Sequence, residues 1–364
     1  MGETTPPLPY VESREPTPGR PLQPVVIQFG RLGDMVMLTA LLSMLRQRFG
    51  KPCLVIGAGP WNSSLYAGHP DVAQVWTFAR SLPNAPGVTW WRVRSALRRS
   101  DPSPIYVCEH RPRQLRRIQR LLALARINPA RCLFITRELA DVGGPWVDRL
   151  ARFGARTPAA LPAADYPLSE RSACAAPHLR VLASERTEFR AWLSARGWAG
   201  RSLILIQPGN FRTLSRRRER WKLHDDKAWP EQNWAALLHK LHAAMPDALI
   251  ILCGAPAEGP MLQQLELHTA LPQVAIAELP LRRLLALCES AHSMISIDTG
   301  PAHVAAALGL PLVVMYGAES PRQWLPRSPS GSPVLAVGGP PGSARVDALG
   351  VDAVFDAWRA ITVA

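Results

Sequence analysis

Short apolar runs alternate with amphipathic segments along most of this chain. Residues 25–29 form the first run, which is apolar except for Gln28, and a short apolar run of this kind is typical of a parallel strand that is buried on both faces. A glycine turn follows, and the leucine spacing then predicts a helix over residues 34–49, with one apolar face. Residues 53–56 are the next apolar run. Strand, helix and strand at this spacing predict a βαβ unit and therefore a parallel sheet.

The pattern restarts in the second half of the chain. Before the restart we predict one more strand over residues 105–108 and a basic helix over 113–125, while residues 160–185 are rich in Ala, Pro and Ser and show little periodicity. We place a domain boundary in that stretch. The second half then predicts strands over 203–206, 248–253, 294–297 and 311–316, and helices over 230–245, 260–269, 281–291, 298–308 and 346–361. Residues 331–342 are interpreted as loose chain.

Two α/β halves of this kind predict a cleft between them. Ligands of such sheets bind beyond the carboxyl ends of the strands, so two facing domains would share one site. The length of 364 residues agrees with two domains, since about 150 residues is a usual domain size. The composition is that of a globular protein, with 47% hydrophobic and 19% charged residues.

The amino-terminal segment and the cysteines exclude several classes of protein. The proline-rich start lacks the apolar core of a signal peptide, and no stretch of the sequence approaches the ~18 apolar residues of a membrane span. We therefore expect a cytoplasmic protein with a disordered tail. The six cysteines are scattered and form no C-x-x-C pair, which argues against a zinc site and against a disulfide framework.

The charge of the chain calls for a negative partner. Lysine and arginine number 42 against 28 acidic residues, a net charge of +14. Nucleic acid, an anionic membrane and a phosphorylated substrate are all consistent with this balance. Two arginine-rich runs contribute much of this positive charge. Neither run is interleaved with aromatic residues, as proteins that bind single-stranded nucleic acid usually are. The first run contains Arg111, Arg113, Arg116, Arg117 and Arg120, and the second contains Arg212, Arg216, Arg217, Arg218, Arg220 and Lys222.

The strongest local motif begins at Asp298, where an apolar strand passes through a tight turn into an alanine-rich helix. The free N–H groups and the dipole of a helix N-terminus bind anions. Thr299 would add a hydroxyl, Gly300 would permit a close backbone approach, and His303 lies one turn further on. The alternative is that Asp298 only caps the helix. The triplet also occurs in aspartic proteases, but those need an all-β setting and a second copy.

Three more polar residues follow predicted strands or precede helices. Asp34 stands at a second strand-to-helix turn, facing the predicted cleft, where a helix cap is the simpler explanation. Lys227 precedes a helix and would reach a phosphate as a point charge. Glu258 follows a strand, as the acidic residues that bind ribose hydroxyls do. In isolation, Lys227 would be a solvated lysine and Glu258 an ordinary acid at a helix start.

Together these residues resemble glycosyltransferase family 9, the bacterial heptosyltransferases of lipopolysaccharide core synthesis. Four blocks of sequence match the family in order, at residues 30–39, at 207–209 with 227–230, at 254–258 and at 298–309. The resemblance covers about residues 24–320, and the first and last blocks together are specific for the family.

The resemblance implies a GT-B fold, in which two Rossmann-like domains face each other across a cleft. It places the acceptor on an N-terminal domain and the nucleotide sugar on a C-terminal domain, with a last helix that packs back on the N-terminal domain. The corresponding bounds are 1–23 for the tail, 24–175, 185–345 and 346–364.

The resemblance also implies inverting transfer without a metal or cofactor. Asp34 would be the general base; the nucleotide-sugar site would contain Lys227, Glu258, Asp298, Thr299, Gly300, His303, Gly209 and Gly254. ADP-heptose is the expected donor, and an anionic glycolipid or glycan is the expected acceptor, bound by Arg111, Arg113 and Arg117. Peripheral contact with the inner membrane fits the basic charge, and nucleic acid is not expected. The alternative function is a non-catalytic nucleotide-sugar-binding protein of the same fold.

Overall fold

The computed structural model describes residues 19–79, 87–140, 142–168, 176–209, 227–342 and 344–362. Within these ranges the chain forms two parallel sheets, one from each half. No helix in the described ranges combines the length and the apolar character that a membrane span needs.

The first sheet has five parallel strands in the order β3-β2-β1-β4-β5. They are β1 (Val25–Ile27), β2 (Cys53–Ala58), β3 (Val72–Phe78), β4 (Ile105–Val107) and β5 (Cys132–Phe134). The central strands β1, β2 and β4 are buried along their whole length, which is why their sequences are continuous apolar runs. The helices of this half are α1 (Leu32–Phe49), α2 (Trp61–Leu65), α3 (Val88–Arg99), α4 (Pro112–Leu124), α5 (Ile135–Glu138) and α6 (Trp146–Gly154).

The second sheet has six parallel strands in the order β11-β10-β9-β6-β7-β8. They are β6 (Leu203–Gln207), β7 (Leu249–Gly254), β8 (Val274–Glu278), β9 (Ser293–Ile297), β10 (Leu312–Tyr316) and β11 (Val334–Gly338). Its helices are α7 (Ala183–Ser194), α8 (Glu231–Ala244), α9 (Gly259–Thr269), α10 (Leu281–Ser290), α11 (Gly300–Ala307), α12 (Pro321–Trp324) and α13 (Val351–Thr362).

Both sheets have the strand order of doubly wound nucleotide-binding folds, in which the chain runs outward from the centre twice. The predicted fold class, two Rossmann-like domains in a GT-B arrangement, is confirmed. The first sheet lies within the predicted N-terminal domain and the second within the predicted C-terminal domain. The exact domain bounds stay a prediction.

The less buried strands are not predicted by the apolar pattern of the sequence. β11 lies inside residues 331–342, which were interpreted as loose chain, so that interpretation is wrong for 334–338. β3 and β11 are edge strands of their sheets, and most of their residues are only partly buried or exposed. An edge strand therefore lacks the apolar run that identifies a central strand.

The last helix contradicts the prediction that it packs back on the N-terminal domain. Val354, Trp358 and Ile361 of α13 are buried in the core of the C-terminal sheet. The indole Nε1 of Trp358 donates a hydrogen bond to Ser293 Oγ of β9 at 2.8 Å. An amphipathic pattern shows which face of a helix is buried, but it does not show which sheet receives that face.

The predicted tail also ends earlier than residue 23. Leu22 is buried, and its amide donates to the carbonyl of Phe49 at the end of α1 at 2.8 Å. Residues 19–23 therefore belong to the folded part, while residues 1–18 lie outside the described ranges.

Several contacts hold the two halves against each other. Helices α1 and α11 pack across the cleft with their N-termini close together. Arg327 donates to Asp148 Oδ2 of α6 through Nη2 at 2.7 Å. The rings of Trp146 and Trp324 lie 5.9 Å apart between centroids. The cleft between the sheets is therefore closed along one side by direct contacts.

Candidate active site

A cleft of about 890 Å³ lies between the two sheets. The carboxyl ends of β1 and β9 open into it, each through a glycine turn that leads into a helix. This is where doubly wound sheets place their ligands. The sequence-predicted residues that line the cleft are Asp34, Arg111, Gly209, Lys227, Gly254, Glu258, Asp298, Thr299, Gly300 and His303.

The turn before α11 carries a buried ion pair. Lys227 Nζ lies 2.5 Å from Asp298 Oδ2, and it also donates to the carbonyl oxygen of Asp298 at 3.1 Å. Both side chains are more than four-fifths buried. The N-cap residue of α11 is Thr299. Asp298 therefore holds the ammonium group of Lys227 at the N-terminus of α11. The alternative explanation, that Asp298 only caps the helix, is wrong.

Glycines allow the two turns to approach each other closely. A Cβ atom on Gly33 would lie 2.7 Å from His303 Cδ2, and a Cβ atom on Gly300 would lie 2.8 Å from Leu32 Cβ. Carbon atoms of side chains essentially never come this close. The absence of a side chain at these two positions thus permits the contact between the N-termini of α1 and α11.

His303 lies in the interface between these two helices. Burial lowers the pKa of its imidazole, although the carboxylates of Asp298 and Asp34 act in the opposite direction. The ring is therefore neutral at pH 7. It fills the space beside Gly33 without adding a second positive charge next to Lys227.

Asp34 stabilises the start of α1 and also lines the cleft. Its Oδ2 accepts the backbone N–H of Arg31 at 2.7 Å, in the manner of a capping box. Asp34 can therefore cap the helix and also act as a base, because the helix cap uses only one carboxylate oxygen. The second oxygen remains able to accept a proton.

Glu258 occupies the loop after β7. Its Oε2 accepts the amide N–H of Ala255 at 2.9 Å, and the side chain is largely buried. A Cβ atom on Gly209 would collide with Oε1 of the same carboxylate, and one on Gly254 would also crowd it. The two glycines thus leave the space that Glu258 occupies at the floor of the cleft.

Arg111 lies on the opposite wall. Its guanidinium binds the buried carboxylate of Glu109, with Nε–Oε1 and Nη2–Oε2 distances of 2.9 Å. Burial alone would raise the pKa of Glu109, but the hydrogen bonds from Arg111 hold that pKa below its usual range. The bond to Glu109 and the nearby carboxylate of Asp34 raise the pKa of Arg111, although burial opposes them. Arg111 is thus a fixed cation beside Asp34.

Not all predicted residues reach this cleft. Arg113 and Arg117 lie on α4 and do not line the cleft. The arginine-rich run from Arg212 to Lys222 lies outside the described residues.

Sequence reasoning missed four lining residues with useful chemistry: Trp61, His110, Glu319 and Trp324. Trp61, His110 and Glu319 each follow the carboxyl end of a strand within four residues. That position was the available signal, because the ends of parallel strands meet at one edge of a sheet. Trp324 comes from α12, whose approach to the cleft has no signature in the sequence.

Comparison with known proteins agrees with these motifs. The family model of glycosyltransferase family 9 (heptosyltransferase) matches residues 159–339. Lipopolysaccharide heptosyltransferase 1 of Escherichia coli K12 is 32% identical over 97 residues, which are 27% of this chain and 30% of that protein. The match thus spans about a third of the length of the curated relative.

Two solved structures share nearly the whole fold. ADP-heptose lps heptosyltransferase II of E. coli superposes with a TM-score of 0.67 at 19% identity, covering 94% of this chain and 99% of the other. The E. coli heptosyltransferase WaaC with ADP gives a TM-score of 0.65 at 18% identity, covering 93% and 99%.

The chain is a heptosyltransferase-like protein of glycosyltransferase family 9. The family match begins near the end of the N-terminal half and contains Lys227, Glu258 and the turn at Asp298. Asp34 and Arg111 lie outside it, so the residues of the N-terminal wall depend on the geometry of the cleft.

Proposed function

We propose that this family 9 protein is an inverting, metal-independent glycosyltransferase. It moves a heptose from ADP-heptose to a lipopolysaccharide-core or related anionic glycan acceptor. The observation that carries the proposal is the shared cleft, with Asp34 in one wall and the Lys227–Asp298 pair in the other. The names of the relatives support the donor, because one is a lipopolysaccharide heptosyltransferase and one structure contains ADP.

The donor diphosphate binds at the N-terminus of α11. The backbone N–H groups of this turn point out of the helix, and their dipole favours negative charge. Asp298 keeps Lys227 nearby as an ion pair, and the ammonium group of Lys227 donates hydrogen bonds to the diphosphate. As the bond from the sugar C1 to phosphate breaks, negative charge grows on the leaving diphosphate, and groups that are already in place stabilise it. This field replaces the divalent ion that other transferases use.

The ribose of the donor lies near Glu258. Its carboxylate is fixed at the end of β7 by the bond to Ala255. An acidic residue at this place in a nucleotide-binding fold accepts hydrogen bonds from ribose hydroxyls. The small residues Gly209 and Gly254 leave room for it and help to set the depth of the nucleoside site.

Asp34 is the general base. The acceptor hydroxyl attacks C1 from the side opposite the diphosphate, its proton passes to Asp34, and the new C–O bond forms as the old one breaks. Attack from the opposite face inverts the configuration at C1. A base of this kind contributes about 10²–10⁴-fold to the rate.

Arg111 binds the negative group of the acceptor. It lies beside Asp34 and is held by the buried carboxylate of Glu109. Arg113 and Arg117 lie further along α4 and extend the positive surface away from the cleft. We assign them to the more distant parts of an anionic acceptor.

A basic and apolar face on α3 and α4 suits an anionic membrane. Val88, Trp91 and Leu124 are 69%, 53% and 47% exposed. Neither helix contains an acidic residue. Arg94 of α3 links the two helices, because it donates to the carbonyl oxygen of Leu124 in α4 and stacks on Trp91. The same two helices carry six exposed arginines, namely Arg92, Arg98, Arg99, Arg113, Arg116 and Arg120. Such a face would bind the cytoplasmic side of the inner membrane, where a glycolipid acceptor is anchored.

The alternative is a nucleotide-sugar-binding protein without turnover. Asp34 favours the enzyme, because a binder of the donor needs no carboxylate on the opposite wall. The test is to incubate the protein with ADP-heptose and a truncated, anionic core oligosaccharide, and to measure ADP release and product. We expect ADP to be released only when both substrates are present. Binding of ADP-heptose with no transfer to any anionic core acceptor would favour the alternative.

A further inference from the structure

Three side chains with metal-binding atoms converge outside the cleft. His69 and Asp71 lie in the turn that leads into β3, and His178 lies in the segment that joins the two halves. One ligand atom from each side chain lies within 4.8 Å of the other two. His69 and Asp71 are 1% exposed, and His178 is 23% exposed. None of the three lines the cleft.

His178 and Asp71 make a buried contact between two atoms that can both bind a metal ion. His178 Nε2 lies 3.0 Å from Asp71 Oδ2, which is within the range of an ion pair. Both atoms are buried, and neither makes another hydrogen bond among the described residues. A cation bound by both atoms would replace this direct contact.

The remaining atoms of the cluster are arranged as supports for metal ligands. His69 Nε2 lies 3.1 Å from the carbonyl oxygen of His178, and the other ring nitrogen, Nδ1, lies 4.0 Å from Asp71 Oδ2. A metal-bound histidine usually donates its other N–H in this way. The second oxygen of Asp71, Oδ1, accepts Arg46 Nη1 at 3.1 Å.

His69 Nδ1 has one weak hydrogen-bond partner. The amide N–H of Asp71 lies 3.3 Å from it, and coordination of a cation would replace this long hydrogen bond.

We propose that His69 Nδ1, Asp71 Oδ2 and His178 Nε2 bind one transition-metal cation of the Zn²⁺ class. Two imidazoles and one carboxylate form a common ligand set for zinc and its neighbours, and hard ions such as Mg²⁺ prefer oxygen ligands.

The position of the site gives the ion a structural role. The amide of His178 donates to Thr39 Oγ1 of α1 at 2.9 Å, and the next amide, of Leu179, donates to the carbonyl of Ala307 in α11 at 3.2 Å. The metal would therefore fix the connecting segment to the N-terminal half at the point where it passes between the two helices. This inference does not depend on the proposed transferase activity.

The test uses the full chain without an affinity tag, stripped with chelator and dialysed. Zn²⁺ is titrated by calorimetry, the melting temperature is followed with and without the ion, and Co²⁺ is used for an absorption spectrum. We expect one ion per chain, a higher melting temperature and cobalt d–d bands. His178→Ala should weaken Zn²⁺ binding at least about 100-fold, since losing even a supporting group costs 10–100-fold.

Two further variants make the test specific. Asp71→Asn keeps the shape of the side chain and should also lose the ion. His239→Ala removes an exposed histidine of α8 and should bind like the wild type. Absence of stoichiometric binding in the wild type, or equal binding by His178→Ala, would overturn the proposal and leave the cluster as a metal-free contact.

Discussion

The two walls of the cleft differ in how they present their chemistry. In the C-terminal wall, backbone turns and one ion pair define the site, and the residues involved lie at the ends of β6, β7 and β9. In the N-terminal wall, Asp34 comes from a similar turn and Arg111 is the cation, while Arg113 and Arg117 of α4 carry positive charge outside the cleft. A diphosphate has one shape, whereas glycan acceptors differ. Under the proposed function, the constant ligand would bind turns that have a sequence signature, and the variable ligand would bind an arginine surface that has none.

Replacing Asp34 should produce the largest effect. Asp34→Asn keeps an oxygen that can accept the Arg31 N–H, so α1 should remain intact. We expect kcat to fall by about 10²–10⁴-fold because the base is lost. Affinity for ADP, measured by calorimetry, should change little because the donor occupies the other wall. Wild-type turnover in this variant would remove Asp34 from the mechanism.

The membrane face should show a moderate effect. We expect binding to vesicles that contain anionic lipid, with about a fivefold loss of affinity for each of Arg98→Ala and Arg99→Ala. Trp91→Ala should weaken binding even at high salt, whereas the arginine effects should shrink as salt screens the charges. Arg190→Ala, an exposed arginine of α7, is the control. Equal binding to neutral and anionic vesicles would contradict this account of α3 and α4.

Chelation should have the smallest effect on turnover. In the proposed mechanism the helix N-terminus and Lys227 stabilise the diphosphate without a metal, so EDTA should leave kcat nearly unchanged. The assay should be run well below the melting temperature, because loss of an ion from the His69 cluster would lower stability without reaching the cleft. Loss of activity on chelation that Mg²⁺ or Mn²⁺ restores would show that the transfer step needs a divalent ion.

The local sequence predicts the C-terminal wall of the cleft, but it does not predict contacts between segments that are distant in the chain. The strand–turn–helix at Asp298 could be predicted, because all its parts are adjacent in the chain. The pairing of Asp298 with Lys227 could not, because 71 residues separate them. His178 and His69 are 109 residues apart, and their approach likewise depends on the packing of the whole fold. The docking of α13 was mispredicted because its apolar stripe fits either sheet.

The central claim is that the nucleotide binds the C-terminal wall and the acceptor binds the N-terminal wall. Calorimetry of ADP with four proteins tests it most directly: the wild type, Lys227→Ala, Arg113→Ala and Lys240→Ala. Lys240 is an exposed lysine of α8 that pairs with Asp352 at 2.9 Å, so it controls for loss of charge in the same half.

The account predicts that Lys227→Ala weakens ADP binding by about 1.5–3 kcal/mol, the range for a hydrogen bond to a charged group. Arg113→Ala and Lys240→Ala should bind ADP like the wild type. Arg113→Ala should instead weaken an anionic acceptor, more at low salt than at high salt. If Arg113→Ala lost ADP binding while Lys227→Ala retained it, the two walls would have been assigned the wrong way round.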